Sequence, residues 1–195
     1  GEAATTGYSS DGIRARAYAG SVTIASGSIT TVGNGSVGIA ANAVTGATIG
    51  SGVVETTGDS AVGISAISGG ETLVTSESVT TTGAMADAIN IVGIDVTVHS
   101  GFISTVGDTS DGIYVTASGP IAVTSESIDT TGSFTVGVRT TSTSGTISVA
   151  SGAIAALGNY SAGIIASAPG AVSITSTSIA TEGTYAFGMR AVSSD

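Results

Sequence analysis

From residue 12 the chain alternates. Gly12-Ile13-Arg14-Ala15-Arg16-Ala17 puts Ile and Ala on one side and Arg on the other, and Val22-Thr23-Ile24 and Ile29-Thr30-Thr31 repeat the rhythm. A period of two marks a half-buried strand, because successive side chains of a strand point to opposite faces. The alternating segments are separated by Gly-Ser, Ser-Gly-Ser and the run Gly7-Tyr8-Ser9-Ser10-Asp11-Gly12, all of which carry turn chemistry. No stretch shows the 3.6-residue period of a helix. Three short strands and three turns are therefore predicted for the first unit of the chain.

That unit recurs. The Gly of a Thr-x-Gly or similar phrase stands at Gly7, Gly33, Gly58, Gly83, Gly107, Gly132, Gly158 and Gly183, at spacings of 26, 25, 25, 24, 25, 26 and 25 residues. Other columns keep the same phase. Six residues after each of these anchors stand Ile13, Ile39, Ile64, Ile89, Ile113, Val138, Ile164 and Met189. Further along come Ile24, Ile49, Val74, Val98, Val123, Val149 and Ile174, and then Ile29, Val54, Val79, Ile103, Ile128, Ile154 and Ile179. A unit of this size cannot bury its apolar face alone, whereas stacked units place Ile on Ile along an interior ladder. The chain is expected to be all-β: a single right-handed parallel β-helix, or solenoid, over residues 1–195, with about 25 residues per coil, about eight coils and three strands per coil in three sheets. The hand follows from the general preference of parallel crossovers. At about 4.8 Å between coils the rod is roughly 38 Å long.

Composition narrows the function. Hydrophobic residues make up 41% of the chain, too many for a solvated Gly/Ser/Thr linker. Four Arg stand against fourteen carboxylates, for a net charge of -10, which disfavours nucleic acid and anionic membrane as partners. Without Cys there is neither a disulfide scaffold nor a thiolate metal site. No apolar run reaches the length of a membrane-spanning helix, so direct membrane insertion of this segment is not expected. No cofactor is implied.

Three phrases carry a family resemblance: Ser-Asp-Gly-Ile at 10–13 and 110–113, Gly-Asp-Ser-Ala-Val-Gly-Ile at 58–64, and Val-Thr-Ile-Ala-Ser-Gly-Ser-Ile-Thr-Thr-Val-Gly at 22–33. They resemble autotransporter passenger repeats of Gram-negative surface proteins and are similar to filamentous-adhesin repeats. The resemblance extends over the whole chain. It implies a β-helical stalk at the cell surface or outside the cell, exported through an outer-membrane barrel.

Several residues are candidates for chemistry. Asp87 and Asp111 share a column in adjacent coils, with Asp11 further off, and such a pair with nearby carbonyls could hold calcium. The same column also holds Val37, Val62 and Val136, which favours the alternative of an outward pair repelling by about 1 kcal/mol. His99, the only histidine, is expected on the outer face, opposite to Ser100. Arg14 and Arg16 share an outer face, either as solvated charges or as a grip for an anionic glycan. The column Thr5, Thr31, Thr56, Thr81, Thr105, Thr130 and Thr181 would suggest ice binding if it faced out, but its phase relative to the Ile ladder turns it inward. The column Ser26, Ser51, Ser76, Ser100, Ser125, Ser151 and Ser176 is expected to satisfy backbone groups at a turn. Tyr8, Tyr160 and Tyr185 lie at or next to one turn, as a ligand stripe or as cover for a core edge.

Repeat length stays between 24 and 26 residues, so no coil carries the inserted loops from which β-helix enzymes build a cleft. No catalysis is expected. A structural surface module (stalk, fibre or adhesin segment) leads, with an ice-binding solenoid and a carbohydrate-active β-helix enzyme as the alternatives. The repeat is already under way at Thr5-Thr6-Gly7 and still in register at Gly188-Met189-Arg190-Ala191-Val192. The expected partners are therefore neighbouring coils of a longer chain, or other copies stacked end to end, besides a surface glycan or cell ligand.

Overall fold

A computed structural model describes residues 1–194. They form sixteen strands that alternate between two places in each coil. The first place is taken by β1 (Glu2–Thr6), β3 (Ser21–Val32), β5 (Gly46–Thr57), β7 (Glu71–Thr82), β9 (Val96–Val106), β11 (Ile121–Thr131), β13 (Ile147–Leu157) and β15 (Val172–Glu182). The second is taken by β2 (Ile13–Arg16), β4 (Ile39–Ala43), β6 (Ile64–Ser68), β8 (Ile89–Gly93), β10 (Ile113–Ala117), β12 (Val136–Ser142), β14 (Ala162–Ala168) and β16 (Phe187–Ser193). The odd strands form one eight-stranded sheet in chain order and the even strands another, and every pairing is parallel. The molecule is a β-solenoid of about eight turns.

Register follows the repeat. Ile13 pairs with Ile39, Ile39 with Ile64, Ile64 with Ile89, Ile89 with Ile113, Ile113 with Val138, Val138 with Ile164 and Ile164 with Met189. The ladder from Ile24 to Ile174 and the ladder from Ile29 to Ile179 run through the other sheet in the same way. Together with the alanines between them these residues are the core, and Ile39, Ile64, Ile89, Ile103, Ile113 and Ile128 are wholly buried.

Each coil contains the three predicted segments, but only two hydrogen-bonded sheets. The segments around Ile24 and Ile29 belong to one strand bent at a corner. Inward positions in β3 run 22, 24 and 26, then 29 and 31, so the phase slips by one at Gly27-Ser28. Pairing resumes at once beyond the corner, with Ser26 opposite Ser51 and Ser28 opposite Val53. The slip turns the chain without breaking its ladder, and the expected second and third sheets are continuous.

Candidate functional site

The turn after each anchor Gly is a tight one. Two residues past the anchor, Ser9, Ser60, Met85, Thr109, Phe134, Tyr160 and Tyr185 all take left-handed backbone, with φ between 52° and 62°. Such a conformation costs a non-Gly residue about 1 kcal/mol, and the stacked coils impose it at each level.

Around this turn carboxylates and amides serve as acceptors for the following coil. Asp11 Oδ1 accepts from the Val37 N–H at 2.9 Å, Asp87 Oδ1 from the Asp111 N–H at 2.8 Å, and Asp111 Oδ1 from the Val136 N–H at 2.8 Å. A second column, directly after the anchor, does the same. Asn34 accepts from the Asp59 N–H, Asp59 from the Ala84 N–H, Asp108 from the Ser133 N–H and Asn159 from the Thr184 N–H, at 2.7 to 3.0 Å. The expected outward placement of the pair is thus corrected, while their mutual repulsion stands: Asp111 is only 6% exposed, and its side chain folds over the next coil's amide. Its carboxylate also meets Arg139 (Nε to Oδ2, 2.5 Å), while Asp11 is paired with Arg14 and Asp87 accepts from the Asn90 amide at 2.7 Å. The Asp111 hydrogen bond raises the Arg139 pKa above its usual value. Among the described residues no three His, Asp or Glu side chains gather as a metal centre would require.

Asp87 gives a measurable pH effect. Burial raises its pKa; the Asp111 N–H works against this and the Asp111 charge adds to it. The folded protein therefore holds this proton more tightly than the unfolded chain does. That contribution to stability is full below the unfolded pKa and is lost as pH rises through the folded value. Asp87→Asn is expected to keep the bond to the Asp111 N–H, as Asn34 and Asn159 do in the sister column. Thermal unfolding between about pH 4 and pH 7 should show a flatter decline for the variant and a higher Tm at neutral pH. A lower Tm across the whole range would contradict the assigned cost of ionising Asp87.

The interior columns divide. Thr31, Thr56, Thr81, Thr105 and Thr130 are buried, as their phase predicts. Thr56 and Thr81 donate at 2.6 Å to the carbonyls of Ala61 and Ala86, tying a strand end to the turn that follows. The Ser column behaves differently from expectation. The hydroxyls of Ser26, Ser51, Ser76, Ser100, Ser125 and Ser151 face the inside of the corner without a hydrogen-bond partner, and only Ser176 donates to a backbone carbonyl, that of Gly152 at 2.8 Å. Successive hydroxyls lie one coil apart, about 4.8 Å, too far to bond one another.

Charge is sorted by face. Arg14, Arg139 and Arg190 occupy one outward column of the even-strand sheet, and Arg16 the column beside it, so all four cations lie on that face. Glu55 and Asp129 project from the outer face of the odd-strand sheet.

His99 is exposed on that second sheet, with Nδ1 2.6 Å from Thr124 Oγ1. Glu77 and Glu126 stand one coil to either side of Gly101 at the corner, and the three residues line a shallow groove of about 580 Å³ with His99. Sequence reasoning missed this grouping; aligning the corner column of every coil would have found it. The groove is a stretch of open solenoid flank without a walled cleft.

The turn aromatics form a stack. Phe134 and Tyr160 lie 4.9 Å apart with planes 2° from parallel, and Tyr185 follows at 5.1 Å. Tyr8 is one position out of this column and stands free at 83% exposure. The inner ring faces cover one another, so along its length the stack presents edges, and Tyr185 at its end keeps an outer face uncovered by another ring. Compared with family models, with curated proteins and with solved structures, the chain matches none.

Proposed function

We propose that the chain is a structural module of an extended surface or extracellular protein: a stalk, fibre or adhesin segment whose product is reach. The observation that carries this reading is the unbroken stacking of eight coils in register, with no insertion at any level. The side-chain chemistry resolved at the turns is spent on joining coil to coil. The likeness of residues 22–33 and 58–64 to autotransporter passenger and filamentous-adhesin repeats supports a place on a bacterial surface. The terminal strands of each sheet have one free edge, which further coils of the same chain or another copy would fill.

The alternatives lose support. The Thr column that an ice surface would need is inside, and the His99 groove lies open to water. Purified protein is expected to appear by electron microscopy as rods about 38 Å long or end-to-end multiples of that length. It should leave polysaccharides uncut and ice growth unchanged. Release of reducing ends, or faceting of ice crystals, would overturn the structural reading.

A further inference from the structure

We propose that the groove on the outer face of β2, β4 and β6 binds a carboxylated sugar. Its floor is set by the register. Arg14, Ala40 and Ser65 lie side by side across the three strands, and Arg16, Asn42 and Ile67 form the neighbouring row. With about 4.8 Å between strands and about 7 Å between alternate residues, the patch measures roughly 7 by 10 Å. Tyr18, which is 79% exposed, adds a wall on the Arg16 side, and the groove encloses about 510 Å³. Ala40, small between Arg14 and Ser65, keeps the floor low at its centre.

Arg16 is the reason to expect a carboxylate. Arg14 is paired with Asp11 and Arg139 with Asp111, but no carboxylate of the described residues lies within ion-pair distance of Arg16. Its guanidinium stacks on Tyr18, 4.6 Å from the ring centroid. Held over the ring, the guanidinium has no hydrogen-bond partner among the described residues, and its planar fork of N–H groups is the geometry that takes a carboxylate through two parallel bonds. The chain carries a net charge of -10, so most of its surface repels anions. Arg14 is neutralised by Asp11, so the single charge of Arg16 reverses the sign locally, enough for a singly charged group and less suited to the denser charge of phosphate or sulfate.

The rest of the groove suits a sugar ring. The Asn42 amide and the Ser65 hydroxyl both donate and accept, as ring hydroxyls require. The second face of Tyr18 and the Ile67 side chain, 52% exposed, offer apolar surface to the C–H side of a pyranose. A small aliphatic acid would reach the Arg and leave the remainder empty. A coil stacked beside β2 would adjoin the edge of this sheet and leave its outer face open. The site deepens the surface-module reading by giving the module something to hold, and the two fail separately: rods without sugar binding remove the site alone.

The test is a titration followed by NMR, with a uronic-acid trisaccharide, the matching neutral trisaccharide, acetate and inorganic phosphate as probes. The uronate is expected to bind in the millimolar range or tighter and to shift residues of β2, β4 and β6. Arg16→Gln should weaken it about tenfold or more, since a charge-assisted pair is lost. Arg16→Lys should recover only part, because the fork is gone while the charge stays. Arg190→Gln, in the same outward face at the other end, should bind as the parent does. Both positions are exposed, and equal melting temperatures would verify intact folding. Equal binding of the neutral trisaccharide, tighter binding of phosphate, binding indifferent to Arg16→Gln, or no binding of the uronate would each overturn the proposal.

Discussion

Ile89→Asp is expected to destabilise the solenoid by about 4 kcal/mol or more, the range found when an unpaired charge enters an apolar core. Ile89 is wholly buried and lies in the middle of the ladder, opposite Ile64 on one side and Ile113 on the other. The interior is narrow, and its lining at this level is Ile, Val and Ala with the hydroxyls of Thr72, Ser76 and Thr81, none of which offers a counter-charge to the carboxylate. Ile89→Val removes one methylene and should cost only about 1 kcal/mol. Chemical denaturation of both variants separates charge from packing. Parent-like stability of Ile89→Asp would mean that the inward phase is wrong.

Gly83→Ala should be nearly as severe, at about 3 kcal/mol or more, for a different reason. Gly83 has φ of +140°, and an added Cβ would come within 2.1 Å of the Gly58 carbonyl oxygen in the preceding coil. That oxygen belongs to backbone held by neighbouring coils on both sides and has no room to retreat. Two residues on, Met85 also has positive φ, but its side chain points to solvent. Met85→Gly is therefore expected to leave stability unchanged or raise it by roughly 1 kcal/mol, by relieving left-handed strain. Thermal unfolding of the pair tests whether the anchor glycines are required by contact between coils; a harmless Gly83→Ala would show that they are not.

Periodicity carried the fold because each coil is bound to repeat its neighbour. The Ile13, Ile24 and Ile29 ladders and the inward Thr31 column were legible from phase alone, since a strand allows only two directions for a side chain. The bend at Gly27-Ser28 was also present, as a three-residue step between Ser26 and Ile29 where two were due. Hydrogen-bond continuity across the bend is a backbone matter that no side-chain pattern records, so the sheets number two. The acceptor columns were half visible. Asp11, Asp87 and Asp111 stood out as a column, but whether a turn side chain meets water or the next amide depends on how the turn folds back. Asn34, Asp59, Asp108 and Asn159 escaped notice because Asn and Asp alternate there with Ala84 and Ser133. The Arg16 groove needs lateral neighbours: Asn42 and Ile67 come beside Arg16 only once register is known.

The in-register ladders also separate length from cross-section. Interior ladders, acceptor columns and the aromatic stack all connect a residue to its counterpart one coil away. Removing residues 84–107, so that Gly83 is followed by Asp108, would keep every column in register, with Ile64 then opposite Ile113 in place of Ile89. The rod would shorten by one strand spacing, about 4.8 Å. Gene segments encoding one coil can thus be duplicated or lost while the flanks keep their design, and the reach of such a protein can drift over generations in steps of a single rung.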